Sequence, residues 1–151
     1  MVELPRLDDA WILAQRGPRN EVDPARPYEY LVEAELSPQG ALEDVGTIFI
    51  TNRECPFRCL MCDLWKNTTT TRVSAGAVAG QIAWALSRLP PVRHVKLYNA
   101  GSFFDKQAIP RQDWAEIEAE QALVAANREL ITRFEQKIQT TRARIWGENK
   151  E

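Results

Sequence analysis

Residues 45–71 read VGTIFITNRECPFRCLMCDLWKNTTTT, an apolar run followed by a polar loop that carries all three cysteines of the chain. Cys55, Cys59 and Cys62 have the spacing C-x3-C-x2-C. Three thiolates this close together can converge on one metal centre without ligands from distant parts of the chain. A cubane iron–sulfur cluster normally takes four protein thiolates, so a loop that supplies three leaves one iron without a protein ligand.

Three other interpretations of the cysteines remain open. A structural zinc site requires a fourth ligand, and the sole histidine, His94, belongs to a predicted strand well downstream. A disulfide would leave one of the three cysteines unpaired. Free buried thiols without any ligand are the remaining possibility. From the residues alone, these alternatives stay open beside the cluster.

Length and composition bound the class of protein. A chain of 151 residues makes one ordinary domain, or one small domain with attachments. Its 19 Lys and Arg residues nearly balance 21 Asp and Glu residues, and the net charge of −2 gives no direct signal for nucleic acid. No apolar run approaches the roughly 20 residues that span a bilayer, and the N-terminus does not read as a secretory leader. We expect a cytoplasmic protein with reduced thiols and no membrane partner.

The chain on either side of the cysteines predicts a strand–helix–strand unit. Residues 45–51 are β-branched and aromatic, which is typical of a buried strand. Apolar residues at helical spacing predict a helix over residues 75–89, with Ser74 as its N-cap. Residues 92–98 predict a second strand, which should pair with the first in parallel. The cysteine loop then lies at the carboxyl end of a strand, where α/β folds place their chemistry.

Residues 1–44 contain five of the nine prolines and predict a loosely structured N-terminal extension. Residues 9–14 predict one or two helical turns, and residues 28–33 predict a short strand. Three arginines in this part could meet a phosphate group, although a solvated surface is the more common role for such residues: Arg16, Arg19 and Arg26.

The loop after the second predicted strand, Asn99-Ala100-Gly101-Ser102, consists of small residues that let backbone approach a ligand closely. Asp105 follows as a candidate ligand contact, with a turn or capping role as the alternative.

The composition becomes charged and helix-forming after Pro110. We expect Asp113 to cap a long helix from Trp114 to about Trp146. Its β-branched residues recur at heptad spacing and need a partner helix, in this chain or in another, so self-association or docking is expected: Ile117, Val124, Ile131, Ile138 and Ile145.

Residues 55–62, CPFRCLMC, resemble the signature loop of the radical S-adenosylmethionine (radical SAM) superfamily. Residues 53–65 look like a bacterial branch of it that includes the radical SAM partner in archaeosine biosynthesis. The resemblance covers about residues 11–114, and residues 11–31 look like an N-terminal extension that packs over the cluster end. It implies an α/β fold, the truncated start of a radical SAM partial (β/α) barrel, here followed by the long amphipathic helix.

The resemblance also implies cofactors and site residues. The expected cofactors are a 4Fe–4S cluster and S-adenosylmethionine (SAM), with the cluster's open iron chelating SAM. The implied metal ligands are Cys55, Cys59 and Cys62. The implied SAM contacts are Asn99, Ala100, Gly101 and Ser102. The substrate and the catalytic residues stay unassigned.

A second resemblance covers residues 115–148, which look like the C-terminal coiled-coil helix of type I restriction-modification specificity subunits. It implies a spacer or docking element without DNA-reading residues. The sequence thus divides into an extension (1–44), a radical SAM-like core fragment (45–113) and a coiled-coil-like helix (114–148). Because later barrel strands have no counterpart, the alternative function is an inactive fusion fragment that acts as a helix-mediated interaction module.

Overall fold

The structure is a computed structural model and describes residues 8–119, 122 and 124. Its regular elements, in chain order, are α1 (Asp9–Ala14), β1 (Glu29–Leu36), β2 (Leu42–Phe49), a 3-10 turn (Leu64–Asn67), α2 (Ala77–Leu86) and β3 (His94–Tyr98). Residues 113–119 are helical as well, and we call them the C-terminal helix. Much of the long helix predicted from the sequence lies outside the described residues, including Ile131, Ile138 and Ile145.

The three strands form one mixed sheet in the order β1-β2-β3. The pairing of β2 with β3 is parallel and runs from Val45 opposite His94 to Phe49 opposite Tyr98. The predicted parallel strand–helix–strand unit is therefore confirmed. The strand predicted over residues 45–51 is shifted, because β2 spans Leu42–Phe49. The strand predicted over residues 92–98 is shorter, because β3 begins at His94.

The N-terminal extension contributes more to the sheet than its sequence predicts. The expected short strand over residues 28–33 is the eight-residue β1, which pairs antiparallel with β2 along its whole length. A turn at Gly40, with a φ of 77°, joins the two strands. The sheet thus has three strands instead of the two core strands expected, and its middle strand is paired on both sides.

The helix α2 begins at Ala77, not at Ala75, and Ser74 does not cap it. Gly76 occupies the N-cap position with a φ of 81°, a left-handed conformation that favours glycine. The carboxylate of Asp113 accepts hydrogen bonds from the backbone N–H groups of Gly76 (2.8 Å) and Val78 (3.0 Å). Asp113 therefore caps α2, whereas the sequence predicts that it caps the C-terminal helix.

The core lies between the sheet and α2. Ile48 and Ile50 contribute from the β2 side, Val78 and Ile82 from α2, and all four are almost fully buried. Ile117 of the C-terminal helix joins the same cluster with 3% of its surface exposed. The first turns of that helix therefore pack with the sheet.

Gln81 connects the core to the N-terminal extension. Its fully buried side chain accepts a hydrogen bond from the Thr51 N–H (2.9 Å) and donates to the Thr51 carbonyl (2.8 Å). It also donates to the Pro24 carbonyl at 2.8 Å. These bonds fix the point where the chain leaves β2 for the cysteine loop. In the described part of the chain, no helix is long and apolar enough to cross a membrane.

Candidate functional site: the cysteine loop and the loop after β3

Two loops meet at the carboxyl ends of the parallel strands. The Ile50 N–H donates to the Tyr98 carbonyl at 2.8 Å, which continues the pairing of β2 and β3 past their last residues. The cysteine loop leaves β2 at this edge, and the loop from Asn99 to Ser102 leaves β3 beside it. Both loops singled out in the sequence therefore lie together, as the parallel pairing requires.

Gly101 lies directly against Cys55. A Cβ atom at Gly101 would stand 3.2 Å from the Cys55 Cβ atom and 3.3 Å from its sulfur. Gly101 also has a φ of 99°, a conformation that residues with a side chain rarely adopt. The backbone of the Asn99–Ser102 loop thus reaches the sulfur because residue 101 carries no side chain.

Asn52 ties the two loops together. Its Nδ2 group donates to the Ala100 carbonyl, and its Oδ1 atom accepts from the Ala100 N–H, both at 3.2 Å. The side chain of Asn52 is fully buried and also donates to the Arg53 carbonyl at 3.0 Å. Sequence analysis did not single out Asn52, although its position between the strand and the cysteines is a signal that could have been used.

The other residues of the Asn99–Ser102 loop occupy different environments. The Nδ2 atom of Asn99 is buried and has no hydrogen-bond partner. Ala100 is buried, whereas Ser102 is exposed and its hydroxyl accepts from the Phe104 N–H at 3.2 Å. Unpaired buried polar atoms are uncommon, and the Thr51 Oγ1 and Trp114 Nε1 atoms share this condition with Asn99.

Glu54, the residue before Cys55, binds three arginines. Arg16 donates to its Oε1 atom at 2.7 Å, and Arg19 and Arg58 also form ion pairs with this carboxylate. Burial by itself raises the pKa of Glu54, but hydrogen bonds from Arg19 and Arg16 and the charges of Arg19 and Arg58 outweigh it. The pKa of the Glu54 carboxyl therefore lies below its ordinary value, and the group is ionised at neutral pH.

The N-terminal extension packs against the cysteine loop through these arginines. The guanidinium carbon of Arg16 lies 4.8 Å from the centroid of the Trp65 ring, and Arg19 donates to the Trp65 carbonyl at 2.7 Å. Asn20 donates its N–H to the Lys66 carbonyl at 2.9 Å. The resemblance implied that this segment packs over the cluster end, and it does lie against the cysteine loop.

The three N-terminal arginines, predicted as possible phosphate contacts, bind other groups of the chain. Arg16 and Arg19 bind the Glu54 carboxylate. Arg26 lies elsewhere, with its guanidinium carbon 4.7 Å from the centroid of the Trp84 ring. Sequence analysis treated the three as one group because it could not identify Glu54 as the partner.

The cysteines are all free thiols. Cys59 is exposed, Cys55 and Cys62 are partly buried, and the Cys62 N–H donates to the Cys59 carbonyl at 3.2 Å. Among the described residues, no three His, Cys, Asp or Glu side chains are arranged to hold a metal ion.

A cluster and a single ion make different demands on the donor set. In a cubane, each thiolate binds a different iron atom, so the sulfurs stand farther apart than the ligands of one ion. His94 cannot complete a zinc site with the cysteines, because it begins β3 at the opposite end of the sheet, 3.0 Å from the Glu43 carboxylate. Glu54 is engaged by arginines.

A cleft of about 410 Å³ lies beside Cys55, between the cysteine loop and residues 105 and 107, and the Asn99–Ser102 loop does not line it. Its walls come from the cysteine loop and from residues 70, 105 and 107, and the lining residues are Arg53, Glu54, Cys55, Pro56, Arg58, Thr70, Asp105 and Gln107. The Asp105 carboxylate accepts from the Gln107 N–H at 2.9 Å, so it combines the predicted turn role with a place in the cleft wall.

No protein-family model matches this chain, and comparisons with curated proteins and with solved structures also give no match. The function has to be inferred from the site itself.

Proposed function

We propose that this chain binds a 4Fe–4S cluster through Cys55, Cys59 and Cys62 and binds SAM against the loop from Asn99 to Ser102. The observation that carries the proposal is the contact between Gly101 and Cys55, with a prospective Cβ only 3.3 Å from the sulfur. It supports the proposal, because a ligand bound next to the Cys55 sulfur would lie close to the backbone of the second loop. The same proposal includes the finer fold assignment, the start of a partial (β/α) barrel.

The cluster, when bound, would supply the electron that cleaves the sulfonium of SAM into methionine and a 5'-deoxyadenosyl radical. The residues of the chain have the tasks of binding and orientation. Asn99 belongs to the loop proposed to bind SAM, and its buried, unpaired Nδ2 atom would have to become accessible before it could donate to a cofactor. Asn52 holds the two loops at a fixed separation through its paired bonds to Ala100.

Anaerobic reconstitution with iron and sulfide tests the proposal. We expect about four iron atoms per chain and, after reduction, an electron paramagnetic resonance signal that changes when SAM is added. Cys59→Ala should lose most of the iron. Met61→Ala serves as the matched control, because Met61 lies on the same loop and is 89% exposed. Stoichiometric zinc binding without cluster assembly would contradict the proposal and would indicate a structural zinc site.

A further inference from the structure

Arg53 differs from the other three arginines around the cysteine loop. Arg16, Arg19 and Arg58 share the Glu54 carboxylate. Arg53 lines the cleft and donates to the side-chain carbonyl of Gln107 at 3.1 Å, which is a neutral acceptor. Within the described part of the chain, no carboxylate forms an ion pair with Arg53.

Among the residues that line the cleft, Arg53 is the guanidinium group without a carboxylate ion-pair partner. The lining contains two guanidinium groups, those of Arg53 and Arg58, and two carboxylates, those of Glu54 and Asp105. Glu54 is bound by three of the arginines, and Asp105 accepts from the Gln107 N–H in its own turn. Both carboxylates of the lining are therefore engaged by other groups, and neither forms an ion pair with Arg53.

The backbone holds Arg53 in a fixed position. Residue 53 forms a parallel bridge with Thr69, in which the Thr69 N–H donates to the Asn52 carbonyl at 3.0 Å. The Glu54 N–H donates to the Thr69 carbonyl at 3.1 Å. An arginine on an ordered backbone loses less conformational entropy when it binds a ligand than one on a free loop.

The guanidinium group has unused hydrogen-bonding capacity. Of its five N–H donors, the structure pairs one, with Gln107. The planar arrangement of these donors matches a carboxylate or a phosphate group in a two-bond contact. Charge makes such a contact stronger than the bond to the neutral Gln107 amide, so an anion could displace that amide.

We propose that Arg53 binds an oxyanion of the substrate, a carboxylate or a phosphate group, in the cleft beside Cys55. This inference rests on the proposed function, because it assigns the substrate class of the same site. The cofactors would still bind to Cys55, Cys59, Cys62 and the Asn99–Ser102 loop. Arg53 would bind one end of the substrate.

Anion titration of the full chain tests this assignment. Inorganic phosphate and acetate are titrated separately at constant ionic strength into the metal-free protein under reducing conditions, and the amide resonances of Thr70 and Gln107 report binding. We expect saturable binding of at least one of the two anions, weakened about tenfold or more by Arg53→Gln. Which anion binds more tightly distinguishes a phosphate-bearing from a carboxylate-bearing substrate.

Two further variants separate a specific contact from a change in overall charge or fold. Arg72→Gln removes the same charge from an exposed residue outside the cleft wall, and its affinity should stay within about twofold of the unmodified chain. Arg53→Lys keeps the charge but loses the planar arrangement of N–H donors, so this variant should bind the anion with intermediate affinity. Equal losses in the Arg53→Gln and Arg72→Gln variants, or no binding of either anion, would overturn the assignment.

The reconstituted protein distinguishes this inference from the proposed function. Arg53→Gln should still assemble the cluster and show the SAM-induced spectroscopic change. If saturating SAM displaces phosphate or acetate from Arg53, the subsite belongs to the cofactor and the substrate assignment is wrong. A chain that binds the anion through Arg53 but assembles no cluster would refute the proposed function and leave the anion site in place.

Discussion

Gly101 and Cys55 are in contact at the carboxyl edge of the sheet, and a methyl group at residue 101 would lie 3.3 Å from the cysteine sulfur. One residue from each of the two loops thus determines how closely the loops can approach.

Gly101→Ala should disturb both the fold and the metal site. The φ of 99° is unfavourable for alanine, and the added Cβ crowds Cys55, so we expect a loss of about 1–3 kcal/mol in the free energy of unfolding. Iron incorporation should also fall. Urea denaturation and iron analysis measure the two effects.

Gly80→Ala is the control for this change. Gly80 lies in α2 with no atom within 4 Å of a prospective Cβ, so the substitution should raise the stability by about 0.5–1 kcal/mol. A Gly101→Ala variant that is as stable as the unmodified chain and loads iron equally well would show that the two loops do not constrain each other.

Glu54→Gln should destabilise the chain in a pH-dependent way. Ionised Glu54 binds three arginines, and we expect its loss to reduce the stability by about 1–3 kcal/mol at pH 7. The folded-state pKa lies below the unfolded value of about 4.3, so this stabilisation is complete above that value. It is lost as the pH falls through the folded-state pKa.

Urea unfolding between about pH 3 and pH 7 measures this dependence. The difference between the unmodified chain and Glu54→Gln should be largest at neutral pH and should shrink in acid. Glu21→Gln, at an exposed position, should show no comparable pH-dependent difference. A constant difference at all pH values would indicate that the Glu54 carboxylate contributes no charge-dependent stability.

Asp113→Ala should weaken α2 although the two are far apart in sequence. The substitution leaves the N–H groups of Gly76 and Val78 without their acceptor, and we expect a loss of about 1–3 kcal/mol. Thermal and urea unfolding measure it. Glu116→Ala is the matched control, because it removes an exposed carboxylate from the same C-terminal helix and should change the stability by less than about 0.5 kcal/mol. Equal effects of the two variants would contradict the capping role.

Asn52→Ala should loosen the loop after β3 more than it changes the core. Both Ala100 backbone groups lose their partner, at an expected cost of about 1–3 kcal/mol in unfolding free energy. Amide hydrogen exchange should accelerate at Ala100 while Val78, in the middle of the core, changes only in proportion to global stability. Unchanged protection at Ala100 would show that Asn52 does not hold this loop.

The sequence predicts the elements whose signals are local. The apolar run of β2, the helical spacing of α2 and the apolar residues of β3 identify a parallel strand–helix–strand unit, and the helical turns predicted over residues 9–14 correspond to the short α1. The placement of the cysteine loop beside the Asn99–Ser102 loop follows from that topology.

Features that depend on distant partners could not be predicted in the same way. The end of β1 at Leu36 and the start of β2 at Leu42 are set by antiparallel pairing between the two strands. Ser74 looks like a cap, but the actual acceptor, Asp113, lies 37 residues from Gly76. Glu54 has no local signal for its role, because two of its arginines come from the N-terminal extension.

The burial of Ile117 has a practical consequence for anyone who wishes to produce the sheet unit separately. A shortened chain that stops where the composition changes, near Pro110, would expose the apolar surface that Ile117 covers and would also remove Asp113. The C-terminal boundary of an expressible fragment therefore has to lie beyond residue 117, inside the C-terminal helix.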